Sequence, residues 1–311
     1  MQDQKIFHKD LTLTNPLFFM DNLALRVKKI LFSKLLDSQI ELKNQIEFMF
    51  NKKIGNRSLL LHSDIFFWIK SEEKTPLEAV LKSVLDNFEI MQNNKKNLGF
   101  FISINYLNKI FISNRLARAQ KAASEAGTGE ISFNIVDADS ALLNESVRLL
   151  CDYYPSIMQE TENFVSNICF FEGKTIIGFT DFQNHGSIFM KYRLVKDNPI
   201  RLAEEIVHEA GHTVLNTIMV KDRLILNTKD QRYNSPLRQD LRPMFGLFHQ
   251  LYVLSRLKKF YMAISRPHSL VAQKNLEKIC VQQDLAFDIV SKNAKFTDFG
   301  KQFFNELECN A

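Results

Sequence analysis

The part of this sequence whose residue types and spacing point most directly to chemistry is an HExxH pattern. It reads HEAGH at 208–212, inside the segment RLAEEIVHEAGHTVLNTIMV. At about 100° per residue, a helix places His208 and His212 one turn apart on one face. The same face carries three further polar side chains: Glu205, Glu209 and Asn216.

The remaining faces of this segment are apolar, so we expect a buried helix with one polar stripe. Buried imidazoles and carboxylates are costly unless a cation or a hydrogen-bond network compensates them. We therefore predict that His208 and His212 bind a divalent metal ion. The alternative is a pair of core histidines satisfied by the neighbouring acids.

Two imidazoles need at least one further protein ligand, and the sequence limits the choices. A metzincin would have Gly at 215 and His at 218, where this chain has Leu215 and Ile218. No Glu occurs between 209 and 277, which leaves no glutamate ligand on a following helix. His249, within MFGLFHQLYVLSRL, is therefore the preferred third ligand, with a core histidine as the alternative. Weaker choices are three loop aspartates: Asp222, Asp230 and Asp240.

Two arginines lie between these helices, in the stretch NSPLRQDLRP. Arg238 and Arg242 each present a planar fork that fits a carboxylate. Beside a metal, such a fork suits an oxo-acid cosubstrate or a peptide carboxylate. The alternative is that one arginine pairs with Asp240 or Glu205 and only holds the loop.

Two segments, LAEEIVHEAGH and SPLRQDLRPMFGLFHQLY, resemble a known family across residues 187–260. The family is the HExxH motif domain of enzymes that modify ribosomally made peptides, with the patterns LxExxVHExxH and SPWRxDPRPLxGLLHGxY. The chain departs from these patterns at three positions: it has Leu237 where the pattern has Trp, Leu241 where the pattern has Pro, and Gly211 where Gln is common. These departures concern the substrate pocket more than the metal site.

The resemblance implies a non-haem iron, 2-oxoglutarate-dependent β-hydroxylase of peptide side chains. The positions it implicates are His208, Glu209, His212, Arg238, Arg242 and His249. The expected cofactors are Fe(II) and 2-oxoglutarate, and the expected partner is a peptide, with or without a leader segment. One alternative is a zinc peptidase in which Glu209 activates metal-bound water, and another is a non-catalytic peptide-binding protein with a structural metal.

Composition restricts the class of protein further. Of 311 residues, 45% are hydrophobic and 24% charged, with 27 Phe against 10 Gly, which is typical of a folded chain. The net charge of +5 is scattered, so we do not expect nucleic-acid binding. A polar, partly acidic N-terminus and the absence of a long apolar run argue against export and membrane insertion. The spacing of Cys151, Cys169, Cys280 and Cys309 matches no metal-binding cysteine motif, and we expect reduced thiols in the cytoplasm.

The periodicity of apolar residues predicts an α+β fold that is predominantly α-helical. Residues 1–130 form a helical region that is a candidate for peptide or leader binding, with helix starts at Asn15-Pro16 and Thr75-Pro76. Residues 131–268 form the metal-site domain, in which four short strands build a small antiparallel sheet beside the HExxH helix. Helices from Pro199 to about Val220 and from Pro243 to Ile264 carry the motifs, and 269–311 form a closing helical pair. The oligomeric state stays open.

Overall fold

The computed structural model of the chain gives its architecture over most of its length. It describes residues 16–54, 57–70, 76–98, 102–103, 117, 134–135, 140–165, 167–172, 177–180, 185–237, 239–265 and 269–309. The helices in these ranges are α1 Pro16–Ser33, α2 Ile40–Asn51, α3 Ser63–Lys70, α4 Leu77–Leu98, α5 Ser140–Tyr153, α6 Pro155–Phe164, α7 Tyr192–Val195, α8 Pro199–Lys221, α9 Met244–Ser265, α10 Ser269–Asn293 and α11 Asp298–Cys309. The strands are β1 Lys53–Ile54, β2 Arg57–Ser58, β3 Ile102–Ser103, β4 Asn134–Ile135, β5 Asn167–Glu172, β6 Gly178–Thr180, β7 Ser187–Lys191, β8 Arg232–Tyr233 and β9 Arg242–Pro243.

The predicted fold class is confirmed: the protein is α+β and predominantly helical. Helices begin where proline or a capping residue marks a start, at Pro16 in α1 and at Pro199 in α8. The two closing helices, α10 and α11, follow the prediction as well. A helix predicted over 115–126 lies outside the described residues, apart from position 117.

The main sheet has five strands and is mixed, so the prediction of an antiparallel sheet is wrong. β5 pairs in parallel with β7, from Asn167 opposite Ser187 to Phe171 opposite Lys191. β6 is antiparallel to β7, and β4 is antiparallel to β5. Every residue of β7 is buried. Strands covered on both faces read as continuous apolar runs and pair in parallel, whereas the predicted antiparallel sheet assumed that strands adjacent in sequence pair with each other.

Helix α8 runs through the centre of the protein. It contacts α1, α5, α6, α7 and α9 among the helices, and β6 and β7 of the sheet. Its apolar residues, including Leu202, Ile206 and Val214, are almost fully buried. The sheet therefore lies beside the HExxH helix, as expected.

One apolar cluster joins buried residues from all three predicted segments, from Phe19 in α1 to Leu307 in α11. The division into segments at 130 and 268 stays a prediction. Within the described residues, no helix combines the length and apolar character needed to cross a bilayer.

The start of α11 packs tightly on the loop that follows α8. Leu224 adopts a left-handed conformation with φ of 60°, and its N–H donates to Asp222 Oδ1 at 2.7 Å. Its carbonyl accepts from Thr297 N at 3.0 Å. An added Cβ at Gly300 would lie 2.9 Å from Leu224 Cα and 2.8 Å from its carbonyl carbon. Backbone atoms cannot yield as a flexible side chain can, so this contact requires glycine.

We predict that Gly300→Ala destabilises the fold by about 1–3 kcal/mol through overpacking. Gly246→Ala is the matched control, because its nearest neighbouring atom would be 3.9 Å away. Helix propensity favours alanine there by up to about 1 kcal/mol. Urea unfolding of both variants measures the difference, and equal unfolding free energies would contradict the prediction.

Candidate metal centre and cavity

The helix that carries the HExxH motif begins at a well-formed cap. The side chain of Asn198 accepts a hydrogen bond from Arg201 N at 3.0 Å, and Pro199 occupies the first helical turn. From this start, the 3.6-residue repeat carries one polar stripe along the helix, from Arg201 to His212, toward α9 and the sheet.

The structure brings the three predicted histidines together. His212 Nε2 lies 3.3 Å from His208 Nε2, and His212 Nδ1 lies 3.1 Å from His249 Nδ1. The ring centroids of His212 and His249 are 5.4 Å apart and nearly parallel, at 28°. His212 therefore stands between a neighbour on its own helix and a neighbour on α9.

The His208 and His212 pair fits one metal ion. At metal–nitrogen bonds of about 2.1 Å, two ligands of one ion have nitrogen atoms about 3.0 to 3.4 Å apart. His249 faces the other nitrogen of His212, and one ion cannot bind both nitrogens of one ring. Across the described ranges, no three His, Cys, Asp or Glu side chains surround a single ion position. A three-histidine site therefore requires one ring to turn.

His249 is in the chemical state that such a site needs. It is 7% exposed, and its Nε2 has no hydrogen-bond partner among the described residues. Burial, reinforced by the neighbouring His212, holds the pKa of His249 well below its ordinary value of 6.5. A neutral imidazole with an unpaired buried nitrogen is the form in which histidine binds a metal.

Glu209 lies beside the histidines but turns toward the sheet. It is 3% exposed, and one of its oxygens, Oε2, has no hydrogen-bond partner in the described part of the chain. Burial and the charge of Glu205 raise the pKa of Glu209 well above its ordinary value, against a hydrogen bond with Thr180. A Cβ at Gly178 would lie 2.7 Å from Glu209 Oε1, so a larger residue there would require this carboxylate to move.

The arginine loop is tied to the start of α9. β8 and β9 pair with Tyr233 opposite Arg242, and Gln250 Nε2 donates to Ser235 Oγ at 3.0 Å. Arg242 Nε lies 2.8 Å from Asp240 Oδ2, an ion-pair distance, although this N–H has no partner with hydrogen-bond geometry. Asp240 is 60% exposed, so solvent screens the pair. Arg238 lies outside the described residues.

One cavity of about 520 Å³ joins these groups. Its wall includes all three histidines, Glu209 and Arg242. From the histidines it extends along α8 and α9 as far as Tyr261.

A hydrogen-bonded network lines the far part of the cavity. Tyr261 donates to Glu204 Oε2 at 2.6 Å and accepts from Asn275 at 3.1 Å. Arg201 pairs with Glu204 at 2.6 Å and also with Glu205. Burial raises the pKa of Glu205 even though Arg201 stabilises its charge. Three helices, α8, α9 and α10, are joined at this point.

Sequence reasoning missed several residues of this wall. Tyr261 carried a signal, because it continues a four-residue spacing from His249 along α9. No sequence signal marked Gly178 or Thr180, because both contact Glu209, which lies about thirty positions away in the chain and on another element. A comparison with known protein families and with curated proteins finds no match for this chain.

The lowered pKa of His249 predicts a pH dependence of stability. Below about pH 6.5 the His249 ring of the unfolded chain takes up a proton, whereas the buried ring of the folded protein stays neutral. The stability gained from burying a neutral His249 is therefore fully present above pH 6.5 and is lost as the pH falls. Between pH 7 and pH 5, wild type should lose more unfolding free energy than His249→Leu, by at most about 1.4 kcal/mol per pH unit.

Urea unfolding at pH 7, 6 and 5 measures this difference. The raised pKa of Glu209 acts in the opposite direction, since its stabilising effect is lost as the pH rises above 4.5. Because both proteins contain Glu209, that effect cancels in the comparison. Parallel pH profiles for wild type and His249→Leu would contradict the prediction.

Proposed function

We propose that this protein is a non-haem iron, 2-oxoglutarate-dependent oxygenase that hydroxylates a side chain of a peptide, at the β-carbon. The observation that carries the proposal is the row formed by His208, His212 and His249 at one part of a cavity that also contains Arg242. A donor set of imidazoles beside a carboxylate-binding side chain suits a metal and an oxo acid together.

His208 and His212 would hold the iron through their Nε2 atoms, and His249 would complete the set if one ring turned. Imidazole suits iron and zinc alike, so the ligands alone do not choose the reaction. With iron bound, 2-oxoglutarate and dioxygen are converted to succinate and carbon dioxide, and the second oxygen atom enters a C–H bond of the peptide as a hydroxyl group.

Arg242 binds a carboxylate of the keto acid. Its present partner, Asp240, is mostly exposed, so exchanging that aspartate for a ligand costs little. A guanidinium can bind a carboxylate through two parallel hydrogen bonds, which fixes orientation as well as charge.

The length of the cavity supports a peptide as the substrate. Arg201 and His212 both line it and are eleven positions apart on α8, or about 16 Å along the helix axis. Apolar side chains of α9, including Val253, Leu254 and Leu257, form part of the wall. Such a cleft accepts an extended segment, and its apolar wall helps to exclude water near the histidines.

We place the reaction in the cytoplasm. Cys151, Cys169 and Cys280 are free thiols, in keeping with a reducing compartment.

The first experiment measures metal content and succinate formation in protein purified without oxygen and loaded with Fe(II). Wild type should bind one iron and convert 2-oxoglutarate to succinate in air, slowly without a peptide. His212→Ala should bind iron at least about tenfold more weakly, since losses of this size follow even from changes beside metal ligands. Stoichiometric iron without succinate, or no iron at all, would contradict the proposal.

Glu209→Gln separates this proposal from a zinc peptidase. In a peptidase the carboxylate must take a proton from water, so the variant would lose about 10²- to 10⁴-fold in cleavage rate. In the oxygenase Glu209 packs against β6, and the variant should still form succinate. Zinc-dependent cleavage of a fluorogenic peptide library by wild type, abolished in Glu209→Gln, would establish the peptidase instead.

Arg242→Met should raise the KM for 2-oxoglutarate roughly tenfold to hundredfold, as expected for loss of a charge-assisted pair. Arg242→Lys should also raise it, because an ammonium group cannot reproduce the fork. Arg232→Met is the matched control, since Arg232 lies on the paired strand, is exposed and does not line the cavity. An unchanged KM in Arg242→Met would exclude this arginine as the anchor.

A further inference from the structure

A buried ion pair lies outside the cavity, where α6, α8 and α9 meet. Arg256 of α9 is 8% exposed and pairs with Glu160 of α6 through its two terminal nitrogens. One of these nitrogens also donates to Tyr252 OH at 3.0 Å. Neither Arg256 nor Glu160 belongs to the cavity wall, so the proposed chemistry does not use the pair.

The side chain of Arg256 rests on the HExxH motif itself. A Cβ added at Gly211 would meet Arg256 Cδ at 3.1 Å, Arg256 Nε at 3.3 Å and Val253 Cγ2 at 3.3 Å. Gly211 directly precedes His212, and Arg256 lies seven positions, about two turns, after His249 on the same side of α9. Side chains of α9 therefore lie against α8 one residue before His212, the residue whose ring faces His249. The arginine side chain from α9 occupies the space that a larger residue at 211 would need.

The ion pair is not a good source of stability. Desolvating two charges often cancels their attraction, and well-packed apolar residues can replace such a pair without loss. Arg256 Nε has no hydrogen-bond partner among the described residues, and burial lowers the pKa of Arg256 to about 10. The pair instead fixes the orientation of the Arg256 side chain. Glu160 and Tyr252 bind its guanidinium group, and its Cδ and Nε atoms lie beside Gly211.

We propose that the Arg256–Glu160 ion pair positions His249 against His212, by fixing the register and rotation of α9 on α8 through the Gly211 contact. Arg256 is a positioning residue and touches no reacting group. The inference rests on the proposed function in taking His249 as part of the metal centre. The contact between the two rings can be tested without any metal.

The test uses an apolar variant, Arg256→Met with Glu160→Leu and Tyr252→Phe, which leaves no buried charge or hydroxyl without its partner. Its midpoint of urea unfolding should equal or exceed that of wild type. In metal-free protein labelled at histidine, the nuclear Overhauser effect between the ring protons of His212 and His249 should be lost. The affinity for Co(II), followed by visible absorption, should fall at least about tenfold.

The matched control removes another ion pair between two helices, by Lys28→Met with Glu47→Leu. This pair joins α1 and α2 at 2.6 Å and does not line the cavity. Both the ring contact and the Co(II) affinity should stay at their wild-type values. Gly211→Ala is a second test, in which the added Cβ pushes against Arg256 and weakens both signals while helix propensity favours alanine.

An apolar variant that keeps the ring contact and its Co(II) affinity within twofold of wild type would overturn the proposal. So would a wild type that shows no contact between the rings. If the apolar variant does not fold, Gly211→Ala decides, and an unchanged ring contact there overturns the proposal. If wild type binds no Co(II) but the variants lose the ring contact, the positioning role stands and the metal centre fails.

Discussion

Burial of a polar stripe on a central helix is the constraint on which the rest of the structure depends. α8 contacts five helices and two strands, which bury Glu205 and Glu209 and leave His208 and His212 partly exposed toward the cavity. Each group must be neutral, paired or opposite a ligand. The elements around α8 differ in whether they pair with a polar group of the stripe or only shield it from water.

Near the start of α8 the polar side chains are paired with one another, and farther along the helix burial favours their uncharged forms. Arg201, Glu204 and Tyr261 form a closed network in which every partner is another side chain. Beside the next turn of α8, burial lowers the pKa of His249, which belongs to α9, and raises the pKa of Glu209, so burial favours the neutral form of each. His249 and Glu209 each keep a buried atom without a hydrogen-bond partner among the described residues, and the proposed metal centre would use this part of the stripe and not the paired network.

The sequence predicts local features of this arrangement well and distant contacts poorly. The Asn198 cap and the 3.6-residue repeat define α8 from the chain alone, and the spacing within α8 places His208 beside His212. The approach of His249 followed from elimination of other ligands. Arg256 and Thr180 contact α8 from segments that no local pattern connects with it, and the parallel pairing of β5 with β7 is likewise a long-range choice. Such contacts depend on how whole elements pack, and periodicity carries no information about that.

Two glycines next to the stripe set how closely its neighbours approach. Gly178 lets β6 close on Glu209 from the sheet side, and Gly211 lets α9 close on α8 from the helix side. A Cβ at Gly178 would lie 2.7 Å from Glu209 Oε1, and a Cβ at Gly211 would lie 3.1 Å from Arg256 Cδ. In a close-packed interior these two side chains have little room to move without disturbing their own contacts. The positions of Glu209 and Arg256 therefore depend on the absence of side chains at 178 and 211 as much as on the side chains that are present.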